Sequence, residues 1–375
     1  MPDLCKKKDY LHFTSQPLCG SSFRNWFKIL RENNFDIYCG FIIKAIFVTV
    51  AIITLTPLRI LEKTKHSKNI EKMKKSSPIF IIGHWRGGTT FLHNILSKDK
   101  NFAYVSMFDS VYPWICLHKN QFLKNLVSNA LPNNRLSDDV ELNANVAYEE
   151  EDAISNLCSH SYRHGWAFPK NIEKYFDKYV LFEGISKKEL KEWKKTYKFY
   201  VKKNSYKHNG KKLILKSLIN TGRIKHILDI FPDAKFIYLY RNPYEVYPST
   251  LNFYKKSIPI FSFQQIDEKE VEKITYEFYK KLLKSYEGGR EFIPTKNLIE
   301  ISYDELVKNP LETLEKIYKN LGIKEYEKSE KDFKKYLGKI KNYETNKYDL
   351  SDVDKNKIKK ELVPIFEKVH NVKIK

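Results

Sequence analysis

The sequence predicts an α/β fold, a mainly parallel sheet between layers of helices, with a helical region ahead of it. Three observations carry that prediction. From Ser76 onward short apolar runs alternate with longer amphipathic segments, the pattern of buried strands joined by crossover helices. The first run, PIFII (78–82), passes through a glycine-rich turn straight into an amphipathic segment. A later run, KFIYLY (235–240), delivers Arg241 and then Asn242 and Pro243, a capping residue followed by the residue favoured at the first helical position.

Composition narrows the class. The chain has 375 residues, 42% hydrophobic and 14% aromatic, which is globular and excludes disordered or collagen-like architectures. Five scattered cysteines without a C-x-x-C pair exclude a disulfide framework and a cysteine-only zinc site. No His/Cys/Asp grouping has metal-ligand spacing, so metal-independent chemistry is expected. The 67 Lys+Arg against 45 Asp+Glu give +22, a charge that suits nucleic acid, anionic lipid or a polyanionic small molecule, and that A+T-rich coding would also produce. Arginine is scarce, so Arg86, Arg223 and Arg241 are the informative cations: a guanidinium fork grips a phosphate or carboxylate in a way lysine does not.

Two domains are expected, 1–75 and 76–375. The first is polar and basic to residue 36 and carries an apolar segment, 38–58, interrupted by Lys44. Its uncharged part, Ala45 to Leu58, is shorter than the roughly 20 residues that span a bilayer. It begins too far from Met1, and lacks the small-residue cleavage pattern, for a signal peptide. A short or tilted span, an interfacial helix and a buried helix stay open, and membrane association is the expectation. The basic flank Arg59, Lys63, Lys65, Lys68, Lys72, Lys74 and Lys75 keeps the C-terminal part in the cytoplasm by the positive-inside rule.

In the second domain strands are expected at Pro78–Ile82, Phe102–Val105, Lys212–Lys216, Lys235–Tyr240 and Leu298–Ser302. Helices are expected at Thr90–Ser97, Glu149–Asn156, Thr221–Asp229, Pro243–Tyr254, Asp267–Tyr286 and Pro310–Leu321. The lysine-rich stretch Lys187 to Lys203 reads as a solvated helix face.

The chemistry concentrates in PIFIIGHWRGGTTFLHNIL (78–96). Strand, Gly83, His84, Trp85, Arg86, Gly87, Gly88, Thr89, Thr90 and helix follow one another, so backbone N–H groups and a helix N-terminus converge on an anion. Against the phosphate-loop pattern G-x-x-x-x-G-K-[ST], Gly83, Gly88 and Thr90 hold their places, but Thr89 replaces the lysine. Without that lysine, or an apolar strand ending in an Asp for magnesium, γ-phosphoryl transfer from ATP is poorly supported; Arg86 supplies the charge instead. Arg241 ends its strand where ligands bind in open α/β sheets. Two anion sites on one sheet suit a nucleotide with phosphate at both ends.

GHWRGGTTFLHNIL and YRNPYEVYPSTLNFY resemble the 5′-phosphosulfate loop and 3′-phosphate motif of the 3′-phosphoadenylyl-sulfate (PAPS)-dependent sulfotransferases, in the carbohydrate- and lipid-type branch common among bacterial sequences. LILKSLINTGRIKHILDIFPDAKFIYLYRNP (213–243), EISYDELVKNPLETLEKIYKNLGI (300–323) and NYETNKYDLSDVD (342–354) follow in that family's order. The resemblance covers most of residues 76 to 375. It implies a three-layer fold like that of the P-loop nucleotide-binding proteins, PAPS as co-substrate and a hydroxyl or amine acceptor on a glycan, lipid or small alcohol. It also implies that Arg86, Gly87, Gly88, Thr89 and Thr90 hold the 5′ end, that Arg241, Ser249 and Lys347 hold the 3′-phosphate, and that Phe91 and Tyr303 contact the adenine. Lys216, at a strand end, would meet the charge growing on the bridging oxygen, with Arg86 sharing that task.

Cytosolic members use a histidine two residues beyond the strand-end lysine, where this chain has Leu218. The base is therefore sought in AYEEEDAIS (147–155), which resembles the family's acidic helix: Glu149 first, Glu151 second, with His84, His160 and His164 behind them and SYRHGWAFP (161–169) lining the acceptor pocket. An acidic first turn complementing the helix dipole is the structural alternative. The expected partners are PAPS, an acceptor hydroxyl and a membrane, without nucleic acid. Two readings compete, a kinase using ATP and magnesium and a basic membrane- or nucleic-acid-binding module with a degenerate loop.

Overall fold

The computed structural model describes residues 3–13, 16–74, 76–118, 121–130, 142–340 and 350–374. The chain packs as two compact units, Met1–Lys75 with Val105–Gly210 and Phe253–Ile274, and Ser76–Tyr104 with Lys211–Asn252 and Thr275–Lys375. Residues 105–210 and 253–274 thus group with the N-terminal region, and the sheet lies in the other unit.

That sheet has five parallel strands: β1 (Ile79–Gly83), β2 (Phe102–Tyr104), β3 (Lys212–Lys216), β4 (Lys235–Tyr240) and β5 (Leu298–Ser302), in the order β2-β3-β1-β4-β5. The chain leaves β1 toward one edge and returns to the other side of it for β4 and β5, so the crevice at the carboxyl end of β1 is a topological switch point. Side chains alternate between the two faces with the strand period of two. On one face Ile79, Ile81, Ile214, Ile237 and Leu239 pack with Leu92, Ile95 and Leu96 of α3 (Thr89–Leu96) and with Leu314 and Ile317 of the helix Pro310–Asn320. On the other Phe80 stacks on Phe236 at 5.4 Å, and Tyr238 on Tyr286 at 3.5 Å. Burying such an aliphatic or aromatic side chain is worth about 1.5–3 kcal/mol, so each helix is held mainly by the face it turns to the sheet.

Every expected strand is present. The expected helix Thr221–Asp229 is divided into a 3₁₀ turn, Leu218–Gly222, and the helix Ile224–Ile230. Arg223 at the junction is fully buried, with Nη1 at 3.5 Å from Asn220 Oδ1.

The N-terminal unit holds α1 (Phe23–Glu32) and α2 (Ile42–Lys72), the helix Glu151–Leu157 and the lysine-rich helix Lys187–Lys207. This last helix is a correction to the solvated face expected for Lys187 to Lys203. Trp193, Tyr197, Tyr200 and Val201 recur at helical spacing and are buried, and Lys203 is buried among them. Lys203 is ion-paired with buried Glu62 and donates to the Pro113 carbonyl. The lysines cover only the outer side of an aromatic stripe.

Candidate functional site

The register fixes the site. Gly83 pairs with Leu239 and Tyr240 with Ser302, while β3 ends at Lys216 opposite Ile81. The loop after β1, Arg241 after β4 and Tyr303 after β5 therefore issue from one edge of the sheet. Gly83 outlasts β3 by two positions, so its N–H and C=O have no strand beside them. Thr221 Oγ1 takes both, accepting from the N–H at 2.9 Å and donating to the carbonyl at 2.8 Å. A buried threonine thereby fixes the start of the loop.

Gly83, Arg86 and Gly88 have φ of 152°, 63° and 89°. A positive φ is costly for Arg86, about 1–3 kcal/mol, and strain of this kind concentrates at ligand-binding turns. At Gly88 no other residue fits, since a Cβ would lie 2.2 Å from the Tyr303 ring. Gly88 is also the N-cap of α3 and offers no side chain, so the first N–H groups of that helix face the loop without a side-chain cap.

Around this turn the expected anion-binding residues meet. Arg86 Nε donates to Ser249 Oγ at 2.9 Å, which joins the loop to the helix Pro243–Phe261. The Arg241 guanidinium lies 4.3 Å from the centre of the Tyr303 ring, and its Nη1 reaches the Arg86 carbonyl at 3.4 Å. Its Nε donates to Glu245 at 2.5 Å, a pair in which the arginine is mostly covered and the glutamate exposed. Asn242 Oδ1 accepts from the Tyr244 N–H at 3.0 Å, the cap read from the sequence. Arg86, Gly88, Arg241, Ser249 and Tyr303 thus form one constellation of two guanidinium groups, a hydroxyl, a helix N-terminus and an aromatic face.

Residues 78–328 match the model of the sulfotransferase family. The chain belongs to the sulfotransferase family. The ω-hydroxy-β-dihydromenaquinone-9 sulfotransferase Stf3 of Mycobacterium bovis, and that of Mycobacterium tuberculosis, are 30% identical to it over 339 residues, 88% of this chain and 85% of the relative. The fold is that of the sulfotransferases STF9 from Mycobacterium avium (TM-score 0.67, 14% identity, 95% of this chain and 97% of that one) and STF1 from Mycobacterium tuberculosis (0.59, 14%, 84% and 86%).

The remaining expected residues of this sulfotransferase fall as follows. Lys216 is buried at the end of β3, Thr89 is buried and Gly87 is enclosed by the loop, while Thr90 is half-buried on α3. Phe91 is half-buried and packs against the aliphatic face of the sheet. Lys347, and Lys75 of the basic flank, lie outside the described residues.

The acidic helix begins at Glu151 rather than Glu149, and its acids are not a solvated first turn. Glu150 accepts from Tyr197 Oη at 2.6 Å, Glu151 from Ser161 Oγ at 2.6 Å, and Asp152 takes Arg163 through both carboxylate oxygens; all three acids are buried. Glu149, half-buried just ahead of the helix, is held through its backbone carbonyl by Ser110 Oγ. Within the N-terminal unit the segment SYRHGWAFP is core: Tyr162, His164, Trp166 and Phe168 are each at most 2% exposed. Its histidine follows suit, His164 lying between the carbonyls of Ser159 and Ser155 at 3.1 and 3.0 Å. His160 bonds to Glu192 at 2.9 Å. His84 bonds to the Trp85 carbonyl at 3.0 Å and packs on Tyr279.

Sequence reasoning missed Thr221, Glu245 and Thr250, whose Oγ1 donates to the Trp85 carbonyl at 3.3 Å. Glu245 had a signal, its i+4 spacing from Arg241 on a helix opening. The two threonines had none.

Proposed function

We propose that this sulfotransferase moves a sulfuryl group from PAPS to a hydroxyl on an apolar, lipid-like acceptor, in association with a membrane and with the catalytic part on the cytoplasmic side. The joining of Arg86 to Ser249 and of Arg241 to Tyr303 around Gly88 carries the donor reading. Two guanidinium groups from separate strand ends suit phosphates at the two ends of one nucleotide, and Tyr303 and Phe91 offer faces to its base. The family resemblance adds Lys347 as a further cation for the 3′-phosphate.

In the transfer the acceptor oxygen forms a bond to sulfur, the bond from sulfur to the bridging phosphate oxygen breaks, and 3′-phosphoadenosine 5′-phosphate leaves. Lys216 and Arg86 neutralise the leaving oxygen, and Glu149, with Glu151 as the second choice, takes the acceptor proton. Arg86, Arg241 and Lys216 supply the charge neutralisation, so the proposal calls for no metal. The lipid acceptor is supported by Stf3, named for a hydroxylated menaquinone and similar along most of both chains, and by the apolar N-terminal helix. The cytoplasmic side is supported by the basic flank after that helix, which suits the anionic surface of the cytoplasmic leaflet.

The test is transfer of ³⁵S from labelled PAPS by the purified protein, with a hydroxylated polyisoprenoid quinone in detergent and a soluble oligosaccharide as alternative acceptors. Label in the quinone supports the reading, and label only in the oligosaccharide, or in neither, contradicts it. Glu149→Gln is expected to lower kcat about 10²- to 10⁴-fold while donor affinity stays unchanged.

A further inference from the structure

The helix α2 has two faces of different chemistry. Its inward face is apolar at Phe41, Val48 and Ile52, all at 0% exposure, but it is fastened by charge. Lys44 Nζ donates to the Ile260 and Ser262 carbonyls at 2.9 and 3.3 Å, Arg59 donates to the Ser21 carbonyl, and Glu62 pairs with Lys203 and accepts from the Leu117 N–H at 2.7 Å. The outward face is apolar without such ties. Ile43, Ile46, Phe47, Val50, Ile53 and Ile60, at helical spacing, are 39 to 64% exposed. After Leu61 the same exposed row continues as Lys65, Lys68 and Lys72, with Glu71 beside them the one acid in the last turns. An apolar stripe running into a basic one is the charge and hydrophobic complement of an anionic lipid surface.

By length and composition this helix could also cross a bilayer. Crossing would strip Lys44, Arg59 and Glu62 of these partners, because the carbonyls, the Lys203 amine and the Leu117 N–H they bond belong to the packed protein rather than to lipid. Lying in the surface leaves every one of those bonds intact.

We propose that α2 is a monotopic anchor: it lies in the plane of the cytoplasmic leaflet, with its outward apolar row among the upper acyl chains and its C-terminal lysines on anionic headgroups. This rests on the membrane association proposed above and adds its mode. The arrangement would hold the N-terminal unit at the lipid surface without threading the chain through it.

The test uses the full chain and vesicles of phosphatidylcholine alone or with phosphatidylglycerol. A tryptophan is added by Ile43→Trp, Ile53→Trp or Ile60→Trp to the five the chain carries, and its quenching by lipids doxyl-labelled near the headgroup or near the chain end is read as the difference from the parent protein. The expected result is binding that needs phosphatidylglycerol, one shallow depth at all three positions, and about tenfold or greater weakening by Lys65→Glu with Lys68→Glu. A spanning helix rises 1.5 Å per residue, so Ile53→Trp would lie about 15 Å from Ile43→Trp along its axis, and deep quenching at Ile53→Trp alone overturns the in-plane mode. No binding to either vesicle overturns the membrane reading itself. Unchanged titration of the variants with 3′-phosphoadenosine 5′-phosphate shows that a loss of vesicle binding is not a loss of fold.

Discussion

Thr221 does for Gly83 what a neighbouring strand would do, and the side chain is small enough to do it only because β3 has already ended at Lys216. Thr221→Val keeps the shape and leaves a buried N–H and carbonyl without that partner, at about 1–3 kcal/mol. A lowered melting temperature is expected, with weaker nucleotide binding because the loop loses its fixed start; a melt and donor affinity both unchanged would deny the role. Gly88→Ala is expected to be worse for binding than for stability. Its Cβ would strike the Tyr303 ring at 2.2 Å from a left-handed backbone, so Tyr303 must leave Arg241. At least a tenfold loss of 3′-phosphoadenosine 5′-phosphate affinity, read by calorimetry, is the outcome to check. Gly83, Gly88 and Arg86 were legible because a glycine spacing between a strand and a helix has few other uses. Thr221 was not, since its partner is set by the length of a strand more than a hundred residues from the loop.

Among the elements, the strands were the most legible, because short apolar runs between turn residues have no competing helical period, and β1, β3 and β4 are buried along most of their length. β1, expected at Pro78–Ile82, is shifted by one residue to Ile79–Gly83, and its last residue still pairs with Leu239. The helix Lys187–Lys207 shows the opposite case. Counting charge hid Trp193, Tyr197, Tyr200 and Val201, which share one helix face and are buried. Lys203 was hidden further, because its carboxylate partner, Glu62, lies on α2 and no local pattern links them. Lys203→Ala would leave Glu62 buried without its cation, a change that costs about 3–5 kcal/mol, whereas replacing both by apolar residues of similar volume is expected to recover much of that loss. Urea denaturation of the two variants separates these outcomes. Equal stability of Lys203→Ala and the parent would contradict the pairing.

At the scale of the whole molecule, pH should act through buried histidines. Burial pulls the pKa of His84 and of His164 down to about 4 and that of His370 to about 3, the last with help from the charge of Arg290. The folded chain keeps these rings neutral while the unfolded chain protonates them near 6.5, so the unfolded state binds more protons below that pH. Stability should be level above about pH 6.5 and fall as pH drops toward 4, by about 2 kcal/mol per ring by pH 5. Melting temperatures across pH 4.5 to 8 check this, and a maximum at the acid end would contradict it. The net charge of +22 left several partners open in the sequence. The structure gathers part of that charge into two guanidinium groups at the carboxyl end of the sheet and a lysine row on α2. The central claim is that the sheet edge holds a nucleotide with phosphate at both ends. Isothermal titration of the purified protein with 3′-phosphoadenosine 5′-phosphate, beside ATP with magnesium, tests it most directly. Tight binding of the bisphosphate, lost in Arg86→Ala and Arg241→Ala and not matched by ATP, is the expected result; binding of ATP without the bisphosphate, or of neither, would contradict the account.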